Sequence, residues 1–414
     1  MPSDRDTSRR DIPNRDIPNR DIPSRAPSDR DTIITGIGLI SCLGEGGDAH
    51  MAALDSFAPV VDETSHAPHP VHPMTALALD KQIPKRGDQR QMEAWQRIGV
   101  YAAGMALDSA GAKGDAALLE RMDMIVAAGG GERDYAVDTA ILGALPKAAD
   151  PEVYLNEHLL ADLRPTLFLA QLSNLLAGNI SLVHGVTGSS RTFMGEEAAG
   201  ADAIRIAHAR IAAGQSEICL VGGSFNAQRP DVFLLYAMGH TLWRGSFAPV
   251  WSRPSGGMVP GSVGCFLVLE SRAHARARGA TPRARIAGVQ TDRCRRAPGE
   301  AAAIATRQIE ALGGASAGDA VISGATGIAP ATGEEHAFLT ATGLPFRATA
   351  TALGQSVEPA FPAAIALDAL SLARGRLVPP LEAAESPLDT PPAALFVTSW
   401  GQWRGEATAL VTTP

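Results

Sequence analysis

The chain has 414 residues, 45% of them hydrophobic, and a formal net charge of −8. That is enough apolar sequence to bury a large core in one or two packed units, which excludes a wholly disordered chain. The modest negative charge, with no long Lys-rich or Arg-rich stripe after the first 30 residues, argues against nucleic-acid binding as the main function.

The four cysteines, Cys42, Cys219, Cys265 and Cys294, show neither metal-ligand nor paired spacing. The first three lie in apolar, strand-like settings where a free cysteine behaves as a small core hydrophobe. A reducing cytoplasm is therefore expected, with no metal and no cofactor. No apolar run reaches the roughly 18 residues that a spanning helix needs, and the amino terminus is charged rather than signal-like.

In chain order, residues 1–30 carry the imperfect repeat RDIPNRDIPNRDIPSR, too poor in apolar residues to offset ordering entropy, and read as a disordered tail. Thr32 begins a β-branched strand that runs into a glycine turn and a helix. Gly36 and Gly38 lack the third glycine of a dinucleotide-binding fingerprint, so a phosphate-cradling turn has weak support. Residues 88–111 show helical apolar spacing with Gly111 as the stop, and MIVAAGGG from Met124 reads as a buried strand ending in glycines. Residues 134–165 give no clear pattern. Alternating strands and helices point to an α/β layered fold.

From Leu172 to Gly223 the pattern is helix, strand, tight elbow, buried helix, strand, with the elbow at Met194, Gly195, Glu196 and Glu197. Small and apolar residues from Ala198 to Ile211 predict a helix packed on most of its circumference. Glu196 and Glu197 fall in its first turn, where unpaired backbone N–H groups and the positive helix end favour carboxylates. As neighbours they point in different directions, so capping or pairing with a basic residue is expected rather than joint acid–base work. His184, His208 and His336 occur singly and are expected as surface or core residues. Ser189 and Ser190 have no recognisable base partner. Arg293, Arg295 and Arg296, three arginines within four residues, read as a solvated loop, with docking of an acidic partner as the sharper alternative.

The Leu172–Gly223 stretch resembles the nucleophile region of the β-ketoacyl-acyl-carrier-protein synthases, the thiolase-fold condensing enzymes. The match runs without a gap through Asn174, Gly178, Asn179, Ile180, Gly185, Gly188, Gly200, Gly222 and Gly223. Gly36, Gly38, Leu43 and Gly44 resemble the family's opening strand and loop. Arg253, Gly257, Gly261, Gly264, Leu267, Leu269 and Glu270 resemble its closing hairpin and strand. The resemblance covers the chain after residue 31 and implies two related αβ halves, residues 31–271 and 272–414, in a layered αβαβα body.

The same resemblance places the family's catalytic positions. Its nucleophilic cysteine falls at Glu197, its two histidines at Ala325 and Gln355, and its lysine at Ala350. Its C-terminal glycine-phenylalanine gate falls at Gln402, Trp403 and Arg404; Phe193 and Met194 are further pocket candidates. A glutamate is a poor nucleophile towards a thioester, and neither glutamine nor alanine exchanges a proton near neutrality. The resemblance thus implies a chain-length-factor-like subunit with no condensing activity alone. Such a subunit pairs with a complete ketosynthase in a heterodimer and works with an acyl carrier protein in fatty acid or polyketide elongation, here with a lean towards very long acyl groups for an envelope lipid. An enzyme with altered chemistry at Glu197, a malonyl decarboxylase or thioester hydrolase, is one alternative. A structural homodimer is the other.

Overall fold

A computed structural model describes residues 27–163, 167, 171–403 and 405–414. The first 26 residues, and with them most of the repeat tail, lie outside the described residues. Ser28 to Asp31 are tied to the body: Asp29 pairs with Arg276 at 3.0 Å, Arg30 with Glu217, and Asp31 with Arg272 at 2.9 Å.

The described strands are β1 Thr32–Ser41, β2 Gly44–Glu45, β3 Asp123–Ala127, β4 Ser190–Phe193, β5 Ile218–Phe225 and β6 Val263–Ser271. They continue with β7 Ala284–Asp292, β8 Ala320–Ser323, β9 Phe346–Ala348, β10 Ala394–Ser399 and β11 Glu406–Thr412. Their spatial order is β4-β3-β5-β6-β1-β7-β11-β10-β8-β9, with β2 paired to β1. Taken as two sets of five, β1, β3, β4, β5, β6 and β7 to β11, each set runs third, second, fourth, fifth, first from its outer edge inwards. The two first strands meet in the middle, Thr32 to Ile34 antiparallel to Ala284 to Ile286. In both sets the outer three strands are mutually parallel and the rest antiparallel. The expectation of two related αβ halves is met.

The main helices are α1 Gly46–Asp55, α2 Ala94–Ser109, α3 Tyr135–Ala144, α4 Pro151–Asp162, α5 Leu175–His184 and α6 Glu196–Ala212. They are followed by α7 Pro230–Met238, α8 Glu300–Ala311, α9 Ala331–Thr342 and α10 Ala360–Arg374. Helices α6 and α10 pack on each other and on strands of both sets, so they form a central layer. On the opposite faces, α2 and α5 cover the first set through Val100, Leu107, Leu176 and Ile180, while α8 and α9 cover the second through Ile309 and Leu339. The result is a layered αβαβα body. Only small residues let a helix be packed from both sides, which accounts for the alanine-rich composition of α6 and α10.

One local reading changes. Residues 88–111 do not form one helix: a short helix Arg86–Gln91 ends at extended Met92, and Glu93 restarts the chain with a reciprocal capping box to Gln96. Gly36 and Gly38 lie within β1, and the expected turn follows the strand at Cys42 and Leu43, ahead of Gly44. A Cβ at Gly38 would lie 1.9 Å from the Ala102 carbonyl oxygen, so these glycines let α2 rest on the backbone of β1. The unpatterned segment 134–165 contains α3 and α4, which expose Leu142, Val153, Leu159 and Leu160, the last at 79%. No helix among the described residues is long and apolar enough to cross a membrane.

Candidate functional site

The elbow is built where β4 hands over to α6. Gly195 at φ 128° and Glu196 at φ 55° both sit in the left-handed half of backbone space, which turns the chain sharply enough to aim the start of α6 at the second half. Gly200 then permits close approach: a Cβ there would lie 2.3 Å from the Glu358 carbonyl oxygen. Facing the elbow, Gln355 is clamped by its own backbone. Its N–H donates to Val259 O at 2.8 Å and its carbonyl accepts from Gly261 N–H at 2.9 Å. Gly261 is required there, because a Cβ would lie 1.8 Å from Leu353 O.

These constraints bring Glu197 and Gln355 together. The Gln355 side-chain amide donates to Glu197 Oε1 at 2.7 Å, and Glu197 is only 3% exposed. Burial pushes the Glu197 carboxyl up to about 7, aided by the charge of Glu196; the backbone N–H groups of Glu197 and Gln402 and the Gln355 amide pull the other way. Glu196, half-buried, accepts from Gln402 Nε2 at 3.2 Å, and burial also raises its pKa. The two carboxylates do point in different directions, as expected. Their side-chain partners are amides, however, rather than the basic residue or the helix cap that the sequence suggests.

Ala325 and Ala350, the positions where the resemblance puts a histidine and the lysine, also come together. They pack with Val250 and Ala348 in a small apolar cluster covered by Trp251. Nothing in that cluster's side chains can carry a proton or a charge. The four positions thus fall into a carboxyl–amide pair and a buried patch of alanines.

Two cavities flank the elbow. One of about 410 Å³ is floored by Gly129, Gly130 and Gly131 and walled by Met194, Glu196, Tyr236, Val357 and Glu358. The other, of about 330 Å³, is lined by His240, Ser255, Arg296, Glu334, Gln402 and Trp403. The Glu196–Gln402 hydrogen bond joins one wall of each. Gln402, Trp403 and Met194 therefore do line cavities, whereas Phe193 packs against the central core and Arg404 lies outside the described residues.

The arginine cluster does not form one patch. Arg296 is drawn inwards to buried Glu406 at 2.6 Å, Arg293 lies 3.8 Å from Asp202, and Arg295 is exposed. The single histidines behave as expected: His184 bonds Val100 O, His208 bonds Thr32 Oγ1, and His336 stacks on Trp251. All four cysteines are free and buried.

Sequence reasoning missed Glu358. It is 5% exposed, lines the larger cavity, and is pushed up to about 8 by burial and by the charges of Glu197 and Glu196. The missed signal was an acid three residues after Gln355 in an otherwise apolar run. Val357 beside it holds φ 58°, a strained value for a β-branched residue. Arg229 and Asp231, paired at 2.5 Å at the cavity's far wall, were missed as well.

Comparison with known proteins fits this architecture. The family model described as Beta-ketoacyl synthase, N-terminal domain, matches residues 34–275. The 3-oxoacyl-[acyl-carrier-protein] synthase 2 of Vibrio cholerae is 24% identical over 341 residues, covering 80% of this chain and 76% of the relative. Among solved structures, the ishigamide ketosynthase/chain length factor superposes with a TM-score of 0.76 at 20% identity, covering 94% of this chain and 100% of that one. A type II polyketide acyl carrier protein in complex with its ketosynthase bound to the hexaketide gives a TM-score of 0.70 at 17% identity, covering 93% and 99%. These likenesses join the duplicated sheet, the central helices and a family match spanning more than half of the sequence, and on that basis the chain belongs to the beta-ketoacyl synthase family, with its thiolase-like fold.

Proposed function

We propose that this chain is a non-catalytic, chain-length-factor-like subunit that pairs with a complete ketosynthase in acyl-carrier-protein-dependent elongation of a fatty acid or polyketide, with very-long-chain acyl groups of an envelope lipid as the favoured setting. The observation that carries the reading is that Ala325 and Ala350 lie together in an apolar cluster while Glu197 is paired with the Gln355 amide. Decarboxylative condensation needs a nucleophile, an oxyanion stabiliser and a proton carrier. Here a buried acid replaces the first, and methyl groups and an amide replace the others.

The surface supports a partner. Leu142, Val153, Leu159 and Leu160 on α3 and α4, with Leu234, Leu235 and Met238 on α7, are exposed, and exposed apolar side chains of this kind mark interaction surfaces when they are contiguous. In a heterodimer the partner supplies the working thiol, and this chain shapes the tunnel and steadies the partner. The acyl carrier protein delivers the malonyl units. The test is co-expression with a complete ketosynthase from the same source, followed by sizing: a one-to-one complex supports the reading, and a homodimer that ignores the ketosynthase contradicts it.

A second reading rests on Glu197 itself, a buried carboxyl raised to about 7 and hydrogen-bonded to an amide, which is a suitable state for a general acid or base. On that reading the purified chain turns over malonyl-carrier protein by decarboxylation or hydrolysis, and Glu197→Gln abolishes the turnover. Absence of turnover in the wild type removes it.

A further inference from the structure

A third cavity, of about 150 Å³, lies between the start of α9 and the loop at residues 250–256. Pro254 and Gly333, both exposed, mark its mouth, while Val250, Arg253, Gly327 and Thr332 are buried. Trp251 and His336, stacked with ring centroids 5.0 Å apart, form one side. No acidic residue lines this cavity, and none of its walls belongs to α3, α4 or α7, where a partner is proposed.

Arg253 is the residue that points to a ligand. It is 5% exposed, and two of its three guanidinium nitrogens are fixed: Nε donates to Ala248 O at 2.8 Å and Nη1 to Gly257 O at 2.7 Å. The third, Nη2, is buried and has no partner among the described residues. Gly327 makes room for the group, since a Cβ there would lie 2.5 Å from Nη1. Burial lowers the guanidinium to about 10, against the charge of Glu382, so it remains a cation at neutral pH. Glu382 itself is engaged by the Trp251 N–H at 3.2 Å and by the hydroxyls of Ser252 and Thr351, both at 3.0 Å, and makes no ion pair with Arg253. His72 also feels the Arg253 charge, but burial first and that charge second hold it neutral, at about 3. A buried charged donor without a partner is costly to retain for structure alone.

The start of α9 adds a second, independent attraction for an anion. This helix of 12 residues has no side-chain cap. The N–H groups of Thr332 and Glu334 return to Ile328 O and Pro330 O, whereas that of Gly333 has no acceptor among the described residues. Gly333 lines the cavity, so a free donor and the positive helix end border the same space as Arg253.

We propose that this cavity binds a small carboxylate anion, whose oxygens take the unpartnered donors of Arg253 and Gly333 and whose short apolar end lies against Trp251. A single guanidinium matches a single negative charge, and the cavity holds no lysine or second arginine for a dianion. The volume of about 150 Å³ admits only a few carbons beside the carboxylate. The site is formed by this chain alone, so its test is independent of the subunit reading.

The experiment is isothermal titration of the purified full chain at pH 7.5 and low salt with propanoate, its neutral isostere propanamide, and inorganic phosphate. Propanoate is expected to bind about ten-fold or more tighter than propanamide, and tighter than phosphate. Arg253→Met, with unchanged circular dichroism, is expected to abolish the preference for propanoate. Gly333 gives a second pair of variants that leaves the interior untouched, because a side chain there meets open space. Gly333→Lys is expected to tighten propanoate binding about two-fold or more and Gly333→Glu to weaken it by as much, with propanamide unmoved. A merely structural Arg253 predicts no such response. Equal binding of propanoate and propanamide, no propanoate binding up to millimolar concentration, tighter binding of phosphate, or a propanoate preference that survives Arg253→Met would overturn the proposal. If Arg253→Met does not fold, the Gly333 pair decides, and identical propanoate affinity in the two variants overturns the proposal equally.

Discussion

The carboxyl groups at the elbow set the behaviour of single residues. Glu197 is raised to about 7 and Glu358 to about 8, in each case chiefly by burial and further by neighbouring glutamate charge. The folded chain therefore keeps protons that the unfolded chain releases near pH 4.5. The stability contributed by these two groups is complete below about pH 4.5 and is lost as pH rises through 7 and 8, at up to about 1.4 kcal/mol per unit for each group. Arg229 and Tyr236 are the other titratable groups facing them. A double variant, Glu197→Gln with Glu358→Gln, should show a flatter melting temperature between pH 5 and 8.5 than the wild type; parallel curves would contradict the assignment. Restoring the thiol alone should not restore condensation, because Ala325, Gln355 and Ala350 remain. An elongation assay of Glu197→Cys that yields product above background would contradict that. Val357→Gly should relieve a strained φ and leave the melting temperature equal or higher, despite the usual entropic cost of glycine.

At the scale of elements, the glycines fix how close strands and helices come. Gly38→Ala would push α2 off β1, and Gly200→Ala would push α6 off the loop at Glu358. Each should cost about 1–3 kcal/mol in chemical denaturation, the range for overpacking a filled core. A cost near zero for both would mean that these contacts are not tight. Much of this was legible in the sequence. Gly36, Gly38, Gly200, Gly222 and Gly223 were picked out by the family resemblance, and the small, apolar run after Glu197 marked a helix packed on most of its circumference. The short-range competition was not legible: the capping box at Glu93 and Gln96 breaks an apolar period that reads as continuous. Nor was the burial of Glu358: an acid in an otherwise apolar run is a weak signal, and SVEP alone does not separate a buried acid from a solvated one. Its burial follows from Gly129 and Gly200, residues far away in the chain that make space for it.

At the scale of the whole molecule, the two sets of five strands meeting at β1 and β7 give the fold a pseudo-twofold axis within one chain. That duplication could be inferred from resemblance but not from patterning, because the two halves share strand order without sharing evident sequence repeats. The residues at the four positions where the resemblance puts the catalytic set, Glu197, Ala325, Ala350 and Gln355, were legible one by one. Their division into a carboxyl–amide pair and an apolar cluster needed three dimensions. The body keeps both buried helices and the glycine contacts and exposes apolar side chains on α3, α4 and α7, which is the ground on which a partner is proposed. The most direct measurement is mass analysis of the acyl products made by a complete ketosynthase purified with this chain, with this chain carrying Trp403→Ala at the gate position, and without it. The account predicts that elongation depends on the pair, survives Glu197→Gln, and gives a changed product length with Trp403→Ala. Elongation that is identical with and without this chain, or that is lost with Glu197→Gln in an intact complex, would contradict it.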